Sequence, residues 1–567
     1  MTAHARSEPL TVRHAGAVST LVLASALALA ATPAWAYIGD SFLSISSQPG
    51  HWNGADHKGW IRAEASDWPG RLPRMNSGSA DALAGEKLFF GGPNAPKPGN
   101  PGKLIIALDK QNPDLPGLMR LCASKATIAE AGYAELSDRA RPVLEIGPRP
   151  AEFPRYWEYK LKDVQIVDCP TVDGADQQAL VLAFRDIEWL SYDPQRPMAN
   201  RIRLTPDQLP RVAPAALTSG KAVRSYLITW IAPATDPGDE ACPKLNTKPT
   251  ETEVFRYMSP EDVAAIRAKN GEKGISYGSQ SENRGPHKLS VASFPGIVPD
   301  PGQIEPQTTI APGLDLDGND GRSSPPRGIR KHGNFVAPDG RRGIDNQLLR
   351  VWGCVAGFRG KRGYNNQTPN ARRADGNIVT LIQVSDIDDP QNDEAVTVSL
   401  IHAMDKPIRD NSGKIFIPNY TFRPTDDPDF TLFNVQVRGR ITNGVVTTDV
   451  LPTYTFTPGQ GSVTELYQAR LRLEPLPDGS VKGWLGGYID YRNHVFSGYS
   501  EGLFGFDSAA VYYSMKRNAD GLYDPLTHEY HGISTAFEID TVPAFLAPAG
   551  AAGESLAQET SAPRTTP

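Results

Sequence analysis

Along Tyr156–Asp168 the chain alternates, with Trp157, Tyr159 and Leu161 apolar and Glu158, Lys160 and Lys162 charged between them. After Asp163 the apolar positions become Val164 and Ile166, so the period of two slips by one residue. The same happens between residues 180 and 192. Leu180, Leu182 and Phe184 alternate, and the phase then moves to Ile187 and Trp189. A one-residue slip sends the side chains to the other face unless the strand bulges or bends, so both segments predict long, bent strands. The loop at Asp173-Gly174 joins them as neighbours, an arrangement that suits a closed or nearly closed barrel. Between residues 109 and 129 the period changes. Leu115, Leu118, Met119 and Cys122 fall on one stripe of a short helix, with Pro116 allowed only in its first turn. Residues 37–193 therefore read as a β-barrel with one short helix that can plug an open end.

Further on, residues 223–230 predict a strand, and Ser259-Pro260-Glu261-Asp262 predicts a helix start running to Gly271. The rest of 194–330 is rich in Gly, Pro, Ser and Asn without sustained periodicity, an irregular connecting region. From 331 to 545 the strand pattern returns at 378–384, 395–402, 430–437, 444–450, 465–473 and 480–488, with hairpin turns at Asn443-Gly444 and Asp478-Gly479. Strands at this density predict a β-sandwich of the jelly-roll kind. Residues 546–567, poor in large apolar groups, read as a disordered tail. The fold class expected is thus mostly β: a barrel, an irregular middle and a C-terminal sandwich.

The first 36 residues change where this protein is expected to work. Arg6 and Arg13 precede an uncharged Ala/Leu-rich run, Pro33 breaks it, and Ala34-Trp35-Ala36 supplies a small-x-small cleavage site. That is a secretory signal peptide, with the mature chain starting at Tyr37 and no membrane span after cleavage. The mature protein is expected in the periplasm or outside the cell. The whole chain carries a formal charge of −6, and removing residues 1–36 takes away two arginines and one glutamate to leave −7. This acidity, with no basic stripe interleaved with aromatics, argues against nucleic-acid binding. Export permits oxidation of the four cysteines. Cys122 with Cys169, inside one domain, would leave Cys242 with Cys354; buried free thiols are the alternative.

Taken in order, several N-terminal segments resemble the haemolysin-coregulated protein (Hcp) family, the tube proteins of type VI secretion. They are Phe42-Leu43-Ser44-Ile45 with Gly50, His57-Lys58-Gly59-Trp60-Ile61, and Leu108-Asp109-Lys110 followed by Pro113, Leu115, Leu118-Met119 and Cys122. Tyr156-Trp157-Glu158-Tyr159-Lys160-Leu161-Lys162-Asp163-Val164 and Ile187-Glu188-Trp189-Leu190-Ser191-Tyr192 complete the set. The resemblance covers residues 37–193. It implies a compact barrel with one helix that forms hexameric rings, here a homo-oligomer, able to stack head to tail. Family members are small and made without a signal peptide, and this chain differs in both respects. The C-terminal region resembles no family.

For chemistry, the strongest pattern is Asp315-Leu316-Asp317-Gly318-Asn319-Asp320-Gly321. Oxygen ligands from Asp315, Asp317, Asn319 and Asp320 on a Gly-rich loop suit Ca²⁺, which takes six to eight hard oxygens in flexible geometry. The loop lacks the Gly and the final Glu of an EF-hand, and a solvated Asx-turn is the competing reading. A second acidic group, Asp386, Asp388, Asp389, Asp393 and Glu394, reads as a solvated turn. His528-Glu529-Tyr530-His531 has its histidines three apart rather than the four a zinc helix needs. His51, Asp56 and His57 read as surface loop. No phosphate loop is present. Trp352, Tyr364, Trp484, Tyr488, Tyr491 and Tyr499 read first as core and second as a sugar-binding face. The function expected is an exported, non-catalytic structural or assembly protein. The alternative is an extracellular carbohydrate-binding or carbohydrate-active protein using the C-terminal domain, with a glycan rather than a protein partner.

Overall fold

The computed structural model describes residues 41–53, 57–63, 65–67, 102–136, 156–189, 221–246, 295–320, 334–425, 434–459, 462–494, 508–524 and 528–547, with single positions between 260 and 268. The expected signal peptide, most of the helix expected from Ser259 and the expected C-terminal tail lie outside them. The described residues belong to one compact unit, Ile38–Pro567.

The first sheet contains β1 (Ser41–Ile45), β2 (Ile61–Ala63), β3 (Ala65–Asp67), β4 (Gly102–Asp109), β5 (Ile128–Leu136), β6 (Tyr156–Asp168), β7 (Gln177–Phe184) and β8 (Asp186–Trp189). Its order is β2-β1-β5-β6-β7-β4-β3, with β8 beside β6. β2 and β3 are one position apart in the chain, yet β2 pairs with β1 and β3 with β4. The two ends of the sheet are therefore consecutive segments, and the barrel closes through them. The expected bend in β6 is present. Tyr159 and Leu161 are buried, Asp163 takes φ +50°, and burial resumes at Val164 and Ile166. Helix α1 (Leu115–Ser124) presents Leu118 and Cys122 to the barrel core, with Pro116 in its first turn. Leu43 of β1, Ile61 of β2, Leu104, Ile106 and Leu108 of β4, and the aromatic pair Tyr133–Tyr159 fill the interior. The Cys122–Cys169 disulfide ties α1 to the chain just after β6.

The second sheet has eleven strands: β9 (Ala222–Pro233), β10 (Thr380–Ile387), β11 (Asn392–His402), β12 (Tyr420–Phe422), β13 (Val435–Thr442), β14 (Val445–Thr448), β15 (Leu451–Gly459), β16 (Ser462–Pro475), β17 (Val481–Asp490), β18 (Gly521–Asp524) and β19 (Glu529–Leu546). Helices α2 (Leu348–Trp352), α3 (Tyr364–Ala374), α4 (Tyr491–His494) and α5 (Ser508–Asn518) accompany it. β9, from the middle of the chain, pairs with both β10 and β19, so the path of strands returns on itself and opposite walls face each other across one core. Asn443 and Gly444 both take positive φ at the β13–β14 turn, as a tight hairpin requires. The Cys242–Cys354 disulfide fastens the chain after β9 to the end of α2.

The two sheets are not independent. Ala107 and Ala179, on the outer wall of the barrel, are buried against Ile297, Val298 and Ala509, with Ile105 and Val181 beside them. Polar contacts seal this seam. The Tyr513 hydroxyl donates to the Val298 carbonyl at 2.6 Å and accepts the Asp176 N–H at 3.1 Å. Lys516 sits 3.3–3.5 Å from carboxylates of Asp109, Asp176 and Glu529. Arg62 of β2 pairs with Asp524 of β18, both almost fully buried, and its guanidinium lies 5.0 Å from the Trp52 ring.

Candidate metal centre

The loop from Leu314 to Asp320 is built by its own side chains. Asp315 Oδ1 accepts the Gly318 N–H at 2.6 Å, and Asp317 Oδ1 accepts the Asn319 N–H at 2.7 Å. These are Asx-turns, which aspartate forms because its short carboxylate reaches the backbone two or three residues on. The loop is anchored by a residue that its motif does not include. Asp345, thirty positions after Asp315, pairs its backbone with Leu314 and accepts the N–H groups of Leu316 and Asp317 on Oδ2, at 2.7 and 3.2 Å. Carboxylate oxygens of Asp315, Asp317 and Asp345 all lie within 4.8 Å of one another. A cation with oxygen bonds of 2.3–2.6 Å spans that separation.

The surroundings disfavour the charged form of these carboxyls. Burial, then Asp317 and Asp520, pushes the Asp345 carboxyl up to about 8. Asp317 is raised as well, chiefly by burial and with Asp315 contributing. The Tyr488 hydroxyl is raised by burial and by the charges of Asp520, Asp345 and Asp317. Arg470 offsets little of this directly, since its guanidinium donates to the Asp315 carbonyl at 3.1 Å rather than to a carboxylate. Gly343 holds open the space beside the trio. It has φ +76°, and a Cβ there would stand 3.0 Å from the Asn319 carbonyl and 3.3 Å from Asp315 Oδ2. The donor set is thus three carboxylates, hard oxygens of the kind calcium takes.

Of the four residues singled out in the sequence, Asp315 and Asp317 enter the trio. Asn319 is buried beneath the loop, with its carbonyl accepting from Asn334, and Asp320 is exposed. Asp345 and Gly343 carried no motif signal, because their place in the site comes from the return of the chain beside Leu314.

The remaining candidates are engaged elsewhere in the fold. Asp393 accepts the N–H groups of Asp388, Asp389 and Ala395, which closes the second acidic loop as a turn. His531 is buried 3.6 Å from Asp524, His528 meets the Tyr523 hydroxyl at 2.8 Å, and Glu529 belongs to the Lys516 group. His51 pairs with Asp114 and His57 with Glu158. Trp352, Trp484, Tyr488 and Tyr491 are core residues, Tyr364 is exposed, and Tyr499 lies outside the described residues. An open polar groove of about 850 Å³ runs along Gln303, Glu305, Gln307, Thr308, Arg350 and Arg517.

Among the described residues no helix is long and apolar enough to cross a membrane. No family model matches the chain, and no curated protein matches it. Solved structures do. Hcp2 from Salmonella typhimurium is 15% identical, over 27% of this chain and 88% of its own, with a TM-score of 0.17. Hcp1 from the same organism is 16% identical, over 27% and 87%, with a TM-score of 0.17. Hcp1 from E. coli EAEC 042 is 13% identical, over 28% and 91%, with a TM-score of 0.18. The chain is therefore similar to Hcp proteins over about a quarter of its length, and the likeness is weak.

Proposed function

We propose that this chain is an exported, non-catalytic assembly protein in which an Hcp-like barrel is held rigidly on a larger β-domain. The observation that supports this most is the seam: an apolar patch, the Lys516 group and the buried Arg62–Asp524 pair fasten one barrel wall to the C-terminal sheet. The described interior of the barrel is packed with apolar side chains, and its remaining outer surface is what it offers to other molecules. The ordered segments that resemble the tube-protein family support a hexameric ring as the assembly. Native mass spectrometry of the chain from Tyr37 is expected to show a hexamer at micromolar concentration. A strict monomer there would overturn the assembly reading. Export itself is checked by N-terminal sequencing of the protein from periplasmic or culture fractions, where Tyr37 is the expected first residue.

Calcium belongs to this reading as a structural ion held by Asp315, Asp317 and Asp345. At about a hundred times its dissociation constant, a ligand that binds only the folded state adds about 2.7 kcal/mol. Melting with excess calcium against excess chelator is expected to differ by about 2 °C, and the Asp317→Asn/Asp345→Asn double variant to show no difference. An unchanged melting temperature for the parent protein would remove the site.

A further inference from the structure

Nine large apolar side chains are strongly exposed among the described residues; four lie between Met404 and Ile417, and Phe545 is a fifth close by in the fold. The segment around residue 412 is a small hairpin. Arg409 bridges Phe416, the Ile417 N–H donates to the Ile408 carbonyl at 2.9 Å, and the Asp410 N–H donates to the Ile415 carbonyl at 2.8 Å. Side chains alternate along such a pair, so Phe416 and the three isoleucines lie on opposite faces. Phe416 packs on the cluster of Leu227, Val379, Leu381, Phe422 and Ala544. Ile408, Ile415 and Ile417 consequently face away from the protein, at 44%, 63% and 41% exposure. Phe545, on β19, also turns away from that cluster. It pairs with Thr421, while Tyr420, Phe422, Ala544 and Leu546, on either side of that pair, face the cluster.

The hairpin is preformed. The Asp410 carboxylate accepts the Ser412 hydroxyl and the N–H groups of Lys414 and Ile415, and Arg409 donates to the Gly413 carbonyl and to Asp375. Its charges are arranged unevenly. Asp405 is paired with Arg423, and Asp410, still charged, is tied to its own turn, whereas Lys406 and Lys414 are exposed and have no ion pair among the described residues.

Three isoleucines expose on the order of 300 Å², well under the roughly 800 Å² per partner of a standard protein interface. That is too little to hold a second copy. It is enough for aliphatic side chains to enter the acyl boundary of a bilayer while nearby ammonium groups meet lipid phosphates. We propose that the 404–423 hairpin is a peripheral anchor for a membrane surface that carries anionic headgroups.

The test is co-sedimentation of the chain from Tyr37 with vesicles of phosphatidylcholine alone and of phosphatidylcholine with phosphatidylglycerol. Binding is expected to be stronger on the anionic vesicles, and to fall at least tenfold on both in Ile415→Asp/Ile417→Asp. Lys406→Glu/Lys414→Glu, which leaves the apolar face intact, is expected to lose about fivefold or more per lysine on anionic vesicles only. Near-ultraviolet circular dichroism checks that each variant is folded, and the lysine pair serves alone if the isoleucine pair is not. Absence of binding to either vesicle, or equal binding by parent and variants, overturns the proposal. So does sedimentation equilibrium in which the parent self-associates through this face, the Ile415→Asp/Ile417→Asp variant is monomeric and vesicles are not bound.

Discussion

Replacing Asp524 by alanine is expected to destabilise the protein by about 3–5 kcal/mol, a very large effect for a single substitution, because it strips a buried cation of its carboxylate. Arg62 and Asp524 are separated by 462 positions and meet at the seam, with both side chains under a tenth exposed. Taking each from water is costly, and their mutual attraction offsets that cost only while both are present. The double replacement Arg62→Met/Asp524→Asn, which removes both charges and roughly keeps the volume, is therefore expected to cost far less than the alanine variant. His531, 3.6 Å from Asp524, is the second group that loses a partner in Asp524→Ala. Urea denaturation of the parent, both single variants and the double variant gives the coupling directly. A loss below about 1 kcal/mol for Asp524→Ala would mean that the apolar patch, and not the ion pair, holds the barrel to the sheet.

The second large effect concerns pH. His402 is buried, with Nδ1 3.2 Å from Asn434 Oδ1 and Nε2 3.3 Å from Thr380 Oγ1. Nδ1–H donating to Asn434 leaves Nε2 to accept the Thr380 hydroxyl, so the ring is satisfied as the neutral form. Burial, with the Arg373 charge adding to it, pushes its pKa down to about 4. An unfolded chain protonates the same ring near 6.5. The folded state therefore binds fewer protons between those values, and the stability present above pH 6.5 is lost as pH falls towards 4. By pH 4.5 the loss is about 2–3 kcal/mol. Asp345 and Asp520, raised to about 8 and about 7, have the opposite sign: their contribution is full below pH 4 and is lost as pH rises through 7 to 8. The two sets offset each other in the parent curve, so the measurement is the difference from His402→Gln, an amide that can replace both ring contacts. The advantage of the parent over that variant is expected to shrink by about 2–3 kcal/mol between pH 7 and 4.5. A difference that stays constant with pH would show that His402 does not remain neutral in the folded protein.

Local chemistry made much of this protein readable from the chain alone. The slipped alternation at Asp163 marked the bend in β6, since only a residue with an irregular φ lets burial pass from Leu161 to Val164. The stripe through Leu118 and Cys122 marked α1, and Asn443-Gly444 marked its hairpin because few residue pairs tolerate positive φ twice. The grouping of Cys122 with Cys169 followed from both lying in one strand-rich segment. What the chain did not display are features that depend on which elements meet. β19 is the longest strand among the described residues and pairs with four others, yet residues 531–537 are buried without interruption, and alternation shows only over the short stretch 537–541. β9 comes from an irregular region and finds its place between β10 and β19 only through backbone pairing. Asp345 joins Asp315 and Asp317, and Arg62 meets Asp524, because the tertiary fold returns distant segments to the same place. Periodicity and turn preference act over a few residues, so they determine elements; burial and charge pairing act through space, so only the folded chain decides which elements share a site.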